Sequence, residues 1–234
     1  MDLSFDHEAF SGHVPLFPLP GAALLPGSLL PLHIFEPRYR AMVKDAVSGE
    51  RLIGMALLKP GYEEDYEGTP DIEQMVCVGR ILLEEPLPDG RWNILLVGLR
   101  RARIVDEDRS RAYRQAKVEV LDDSPLDEAH ERALLIALRR LLDAVPDVMV
   151  KDPSRRELIL GILRTGDGEG IGVGTLADLA ADTLHLGVLD RQALLGLEDP
   201  EPRVARFAEL VQARMRQLEE ARRSTPWPPK FSKN

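Results

Sequence analysis

Apolar residues along this chain keep two different rhythms, and the change between them falls near residue 122. Before that point they come in short runs broken by proline, glycine and acidic residues; after it they recur at intervals of three and four. A period of two, or a short unbroken apolar run, marks an extended strand, whereas a period of 3.6 marks one face of a helix. Residues 15–47 set the pattern for the first half. Pro20-Gly21 and Pro26-Gly27 are turn dipeptides, since proline presets φ and glycine accepts the positive φ that often follows. Leu16, Phe17 and Leu19 therefore fall in one short strand, and Leu29, Leu30, Leu32 and Ile34 in another. Tyr39, Met42, Val43, Ala46 and Val47 then repeat at helical spacing, with Pro37 suited to the first turn and Gly49 to the end.

Extended patterns continue through the next segments. Residues 52–58 form a nearly continuous apolar run, as expected of a strand covered on both faces. Met75, Val76, Val78, Ile81, Leu82 and Leu83 make the next strand; Pro88-Asp89-Gly90 is a hairpin turn, and Trp92 to Val97 return from it. Ala102, Ile104 and Val105, then Ala116, Val118, Val120 and Leu121, complete about six or seven strands, which predicts a mixed or antiparallel sheet curled toward a barrel with one early helix packed on it.

From Asp122 the spacing predicts helices only. Ser124-Pro125 reads as an N-cap and first helical residue ahead of Leu134, Leu135, Leu138, Leu141 and Leu142. Asp152-Pro153 opens a second helix, Thr175 with Asp178 caps a third, and Asp190 caps a short fourth. A last helix, from near Pro202 to about Arg223, would be roughly 30 Å long at 1.5 Å per residue. The predicted organisation is an amino-terminal arm (1–13), a β lobe (14–122), a helical lobe (123–223) and a proline-rich tail (224–234) that cannot continue a helix.

Composition narrows the function classes. At 234 residues, 44% hydrophobic and 29% charged, the chain has the balance of a globular protein with a real core. Its net charge of −9 argues against the all-round basic surface that nonspecific nucleic-acid binding needs. Cys77 is the one cysteine, so there is no intramolecular disulfide and no cysteine-rich zinc site, which fits a reducing, cytoplasmic setting. The first residues have neither a basic nor an apolar signal region, and the apolar run 22–35 is interrupted by Pro26, Gly27 and Pro31; no export signal and no membrane span are expected.

Catalytic and cofactor motifs are not found. No G-x-x-x-x-G-K-[ST] string exists to hold phosphates. The glycines at 166, 168, 170, 172 and 174 complete neither that motif nor G-x-G-x-x-G, follow a helix instead of a strand, and read as a flexible interhelical loop. The five histidines lack metal-ligand spacing, and no serine sits in G-x-S-x-G. Glu84-Glu85 and Asp122-Asp123 are adjacent carboxylates that project differently from a strand end and read as solvated pairs. The acidic loop with Glu63, Glu64, Asp65 and Glu67 has no calcium-loop spacing. Cys77, between two valines of a strand, reads as a buried structural thiol.

Two features are left to carry function. Arg100, Arg101, Arg103, Arg109, Arg111 and Arg114 form a basic set that RNA phosphates would suit, diluted by Asp106, Glu107 and Asp108. The second is an apolar surplus at the first turns: Leu24, Leu25, Leu29, Leu30, Phe35 and Tyr39 either close the core under a loop or line an exposed groove for extended hydrophobic peptide. Glu36 and Arg38 flank this stretch and are expected to pair and fix the strand–helix junction.

The order P-L-F-P-L-P, then L-P-L-H-I-F-E-P-R-Y, then a helix beginning R-Y-R-A-M-V resembles the opening of the Lon protease amino-terminal, or substrate-binding, domain family. LPDGRWNILLVGLRRARIVDE and LADLAADTLHLGVLDRQALLGLEDPEPRVARFAELV extend the resemblance to about residue 223. The resemblance implies an α+β protein: a PUA-like, β-rich curled sheet or pseudo-barrel with one early helix, followed by an all-helical bundle. It further implies recognition of unfolded or damaged polypeptides for a protease; with the motifs above missing, the expectation is a noncatalytic protein without cofactor or metal, with a separate protease as a further partner. The ATPase and peptidase domains that follow in the full protease have no counterpart in these residues. RNA binding by a PUA-like module is the alternative.

Overall fold

The structure, a computed structural model, describes residues 5–66, 68–165 and 171–224. Six strands form one mixed sheet: β1 (His13–Leu19), β2 (Leu29–Ile34), β3 (Leu52–Leu57), β4 (Met75–Pro86), β5 (Trp92–Asp108) and β6 (Gln115–Leu121). Their order is β2-β5-β4-β3-β1-β6, and β6 pairs again with β5, so the sheet closes into a ring with β2 outside it. Only β1 and β3 run parallel, Leu16 opposite Gly54 through Leu19 opposite Leu57. The helix α1 (Pro37–Ser48) between β2 and β3 lets the chain return in the direction needed for that pairing.

Closure depends on β5. Its 17 residues serve two partners on one edge, β2 along residues 92–97 and β6 along residues 101–108. Irregular register at Val78/Gly79, Ile81/Leu83 and Ile104/Asp106 supplies the bends. Gly79 and Gly98 lie opposite each other at the first of these. A Cβ on Gly98 would fall 2.2 Å from the Leu25 carbonyl oxygen, and one on Gly79 would fall 2.9 Å from a Leu24 methyl. The loop before β2 therefore crosses the sheet where two side chains are missing, and this crossing buries Leu24 and Leu25.

Apolar residues from all five ring strands, among them Val14, Leu16, Ala56, Val76, Val78, Ala102, Ile104, Ala116 and Val118, fill the interior of the ring. Phe5 of the amino-terminal arm joins them. The alternate face, with Phe17, Ile53, Met55, Cys77, Ile81 and Leu96, packs against Tyr39, Met42, Val43 and Ala46 of α1 and against the helices of the second half.

Those helices are α2 (Glu128–Ala144), α3 (Pro153–Thr165), α4 (Val173–Asp182), α5 (Val188–Leu195) and α6 (Pro200–Ser224). Their starts correct several sequence expectations. The cap of α2 is Asp127, whose carboxylate accepts from the His130 amide at 2.9 Å, and Ser124-Pro125 lies outside the helix. Asp152 caps α3 as expected, accepting from the Arg155 amide. Gly172 precedes α4, so Thr175 and Asp178 are interior residues, and Gly174 is helical instead of part of a loop. Gly166, Gly168 and Gly170, like residues 225–234 of the tail, lie outside the described residues. Gly187, not Asp190, precedes α5. Among the described residues no helix is long and apolar enough to cross a membrane.

Two arginine–aspartate clusters join the halves. Arg101 of β5 donates to Asp178 of α4 at 2.6 Å, and Arg203 of α6 binds both oxygens of Asp123 at 2.7 and 3.1 Å while standing 3.5 Å from Asp178. Burial pushes the Asp178 carboxyl upward, against the pull of Arg101 and Arg203. In the second cluster Arg155 of α3 reaches Asp182 at 2.7 Å and the Gly27 carbonyl at 2.9 Å, and Arg191 holds the other oxygen of Asp182 at 2.5 Å.

Candidate functional site

The strand outside the ring has one edge that no strand of the described residues covers. The Gly98 amide donates to the Ser28 carbonyl at 2.9 Å, which sets the phase of the β2–β5 ladder. By alternation, Leu30, Leu32 and Ile34 turn their main-chain groups toward β5, and residues 29, 31 and 33 turn theirs outward. Pro31 is thus on the outward side, where its missing N–H breaks no ladder bond.

The same alternation sorts the side chains. Leu30, Leu32 and Ile34 pack on the core, while Leu29, Pro31 and His33 share the opposite face. Register places Pro31 beside Leu95 of β5 and Leu95 beside Leu83 of β4. Leu29 is 46% exposed, Leu83 60% and Phe35 61%. Leu29 and Pro31 lie on the free edge itself, Leu95 and Leu83 carry an apolar band two strands inward from it, and Phe35 follows the end of β2. A polar row separates Leu29 and Leu83 from Phe35: His33 Nδ1 meets Asn93 Oδ1 at 2.8 Å, the Asn93 amide donates to Glu85 at 2.8 Å, and Arg91 lies 3.2 Å from His33 Nε2. The Phe35 ring stacks on His33 with centroids 6.4 Å apart.

This geometry divides the six candidates chosen from the sequence. Leu24 and Leu25 are fully buried beneath the crossing loop, and Tyr39 is buried against Phe17, with ring centroids 4.5 Å apart; an exposed role for these three is corrected to a core role. Burial raises the Tyr39 phenol to about 12. Leu30 is half-buried on the core. Leu29 and Phe35 are the two that reach solvent. Leu83 was not among the candidates, because Ile81, Leu82 and Leu83 are consecutive apolar residues and the irregular register between them hides which one faces out.

Glu36 and Arg38 pair at 2.9 Å as expected, and the Tyr66 hydroxyl also donates to Glu36 at 3.2 Å. The basic set is dispersed by pairing. Arg100 reaches Asp122, Arg101 is buried on Asp178, Arg103 meets Glu119 and Glu198, Arg111 holds Asp45, and Arg114 binds Glu107. Arg109 stands 3.8 Å from Glu107. Phosphates along a strand would meet no continuous basic stripe there. Cys77 is buried, and desolvation pushes its thiol up to about 12, the environment of a structural thiol and not of a nucleophile.

A second concavity of about 570 Å³ opens between the halves, where the edge of β5 passes from β2 to β6. Gly27, Gly98, Leu99 and Arg100 form one wall, and Thr175 and Leu179 of α4 the other.

Comparison with known proteins places the whole chain. Residues 13–213 match the family model described as the ATP-dependent protease La (LON) substrate-binding domain. Lon protease 2 of Myxococcus xanthus is 30% identical over 200 residues, which are 85% of this chain and 23% of that protease. Lon protease of Anaeromyxobacter dehalogenans is 27% identical over the same shares. The chain therefore spans about a quarter of the length of these relatives. Among solved structures, the amino-terminal domain of Mycobacterium avium complex Lon protease superposes with a TM-score of 0.63 at 18% identity, covering 86% of this chain and 98% of that one. A Lon N-terminal domain protein from Xanthomonas campestris gives 0.57 at 24% identity, covering 83% and 96%. At these identities the two structures speak for the fold.

Proposed function

The chain belongs to the LON substrate-binding domain family, and from that premise we propose that it is a noncatalytic recognition protein for polypeptides, taking unfolded or exposed hydrophobic segments along the free edge of β2. The observation that carries this reading is the coincidence of that edge with the exposed apolar side chains of Leu29 on β2 and Phe35 just after it. A strand laid on the edge meets the outward main-chain groups of Leu29 and His33 whatever its sequence, and its alternate side chains fall beside Leu29 and Pro31. Pro31 withholds the central donor, so pairing is short. That limits affinity to roughly the micromolar range for a flexible ligand and also protects the edge from indefinite self-pairing. The family's role supports delivery of captured segments to a separate protease. The setting we assign is a reducing, cytoplasm-like compartment, where a lone buried thiol is stable.

Fluorescence anisotropy with a labelled, permanently unfolded polypeptide tests the reading. Leu29→Asp and Phe35→Asp should each weaken binding about tenfold, the loss of roughly 1.4 kcal/mol, and leave the melting temperature within a degree or two. Leu25→Asp should instead unfold the protein, because that side chain is wholly buried. Apolar capture should persist at high salt, whereas phosphate-driven RNA binding would fall steeply. Unchanged binding in both surface variants would remove β2 as the site.

A further inference from the structure

A smaller cavity of about 130 Å³ lies between the amino end of α1, the loop before β4 and the β5–β6 connection. Arg38, Arg109, Arg111 and Arg114 line it, with the rings of Tyr66 and Tyr113. We propose that this cavity is a binding site for a phosphoryl group, a function independent of the polypeptide edge.

The argument rests on which donors the protein itself consumes. Arg114 is saturated: its Nε and Nη2 bind both oxygens of Glu107 at 2.9 and 2.8 Å, and its Nη1 binds the Pro70 carbonyl at 2.7 Å. Arg38 spends Nε and Nη2 on Glu36 and the Tyr66 carbonyl, and its Nη1 has no acceptor among the described residues. Among the described residues Arg111 uses Nη1 alone, on Asp45 at 2.7 Å and the Tyr113 hydroxyl at 3.0 Å. Arg109 is the least held, donating to the Thr69 hydroxyl at 3.4 Å with Glu107 3.8 Å away. Three guanidinium groups with unused donors therefore line one small space.

Charge and shape favour the same class of ligand. Four arginines line this one cavity in a chain whose net charge is −9, and the carboxylates beside them are already engaged, Glu36 by Arg38, Asp45 by Arg111, Glu107 by Arg114 and Asp108 by Ser110. A planar carboxylate is satisfied by one guanidinium fork. Donors arriving from α1 and from two positions of the β5–β6 connection suit instead a tetrahedral group with three terminal oxygens. The aromatic walls accept a small organic bearer: Arg38 already stacks on the Tyr39 and Tyr66 rings at 4.7 and 5.6 Å.

The test uses the whole chain, with amide NMR shifts followed as inorganic phosphate is added against sodium chloride of equal ionic strength. Phosphate should shift amides of Gly68, Thr69 and residues 109–114 in a saturable way, and chloride should not. Arg109→Ala and Arg111→Ala, both at exposed side chains, should weaken saturation at least tenfold while the remaining spectrum stays that of the folded protein. Adenosine monophosphate and a phosphoserine peptide form the comparison arms. Tenfold tighter saturation by either identifies the bearer of the group, and equal saturation by all three identifies phosphate itself as the ligand. A response to phosphate no larger than to chloride, or one that survives both substitutions, overturns the proposal.

Discussion

Cys77 and Tyr39 show how burial of a single ionisable group reaches the stability of the whole chain. Both are neutral and buried, and both have pKa values pushed up to about 12 by desolvation. In the unfolded chain the thiol and phenol titrate near 8.5 and 10 (about those values for model peptides). Between these limits the native state binds more protons than the unfolded one, so the slope of unfolding free energy with pH is negative. Stability should therefore be fully present below about pH 8.5 and decline progressively toward pH 12. Urea titrations at pH 7, 9 and 10.5 should show that decline, with the part due to the thiol absent in Cys77→Ala. A thiol reagent at neutral pH should label Cys77 only as fast as the chain opens. Residue-level reading from sequence succeeds here because two flanking valines in a strand predict a buried thiol, and neighbouring Glu36 and Arg38 predict an ion pair. For Leu24 and Leu25 it leaves core closure and an exposed groove both open, and the structure selects the core. Their burial comes from a loop crossing the sheet at two glycines, a long-range event with no period to read.

Elements were legible wherever pattern and punctuation agree, as in the hairpin at Pro88-Asp89-Gly90, the helix α1 and the six strands. Helix starts were less so. Asp178 looks like a cap near a helix start, yet its carboxylate is claimed by Arg101, 77 residues earlier in the chain, and Gly172 is left to precede α4. The edge of β2 and the band inward of it needed the register of three strands, which no single run of residues encodes. Two glycines separate conformational from packing effects at this scale. In Gly98→Ala the new methyl meets the Leu25 backbone at 2.2 and 2.9 Å, atoms that cannot swing away, so the loop must lift from the sheet. A loss of about 1–3 kcal/mol or more is expected in urea unfolding, as for an overpacked core. Gly161→Ala, within α3 and with nothing within 4 Å of the added carbon, should gain about 0.5–1 kcal/mol through helix propensity. Equal effects from both substitutions would mean that the crossing loop does not constrain Gly98.

At the scale of the molecule, the change of rhythm near residue 122 marks a change of architecture but not a break in the core. The larger core runs without interruption from Phe17, Met42 and Leu96 of the first half to Leu138, Leu176 and Phe207 of the second. The charged clusters cross the same junction. Arg101 and Arg203 are each at most 3% exposed, and Asp178 is wholly buried. Taking such charges out of water costs several kcal/mol per ion, repaid only while all partners remain in place. Asp178→Ala leaves Arg101 without its carboxylate and Arg203 with Asp123 alone, so a loss of about 3–5 kcal/mol is expected. The form of the transition carries more information than its midpoint. If the halves are one cooperative unit, calorimetry of the variant should give a single transition at lower temperature, with calorimetric and van't Hoff enthalpies equal, as in the parent chain. If the halves are separate units held by this cluster, breaking it should resolve two transitions. One transition would also explain why the β2 edge can stay apolar and exposed: its far face, Leu30, Leu32 and Ile34, is anchored in a core that both halves must surrender together.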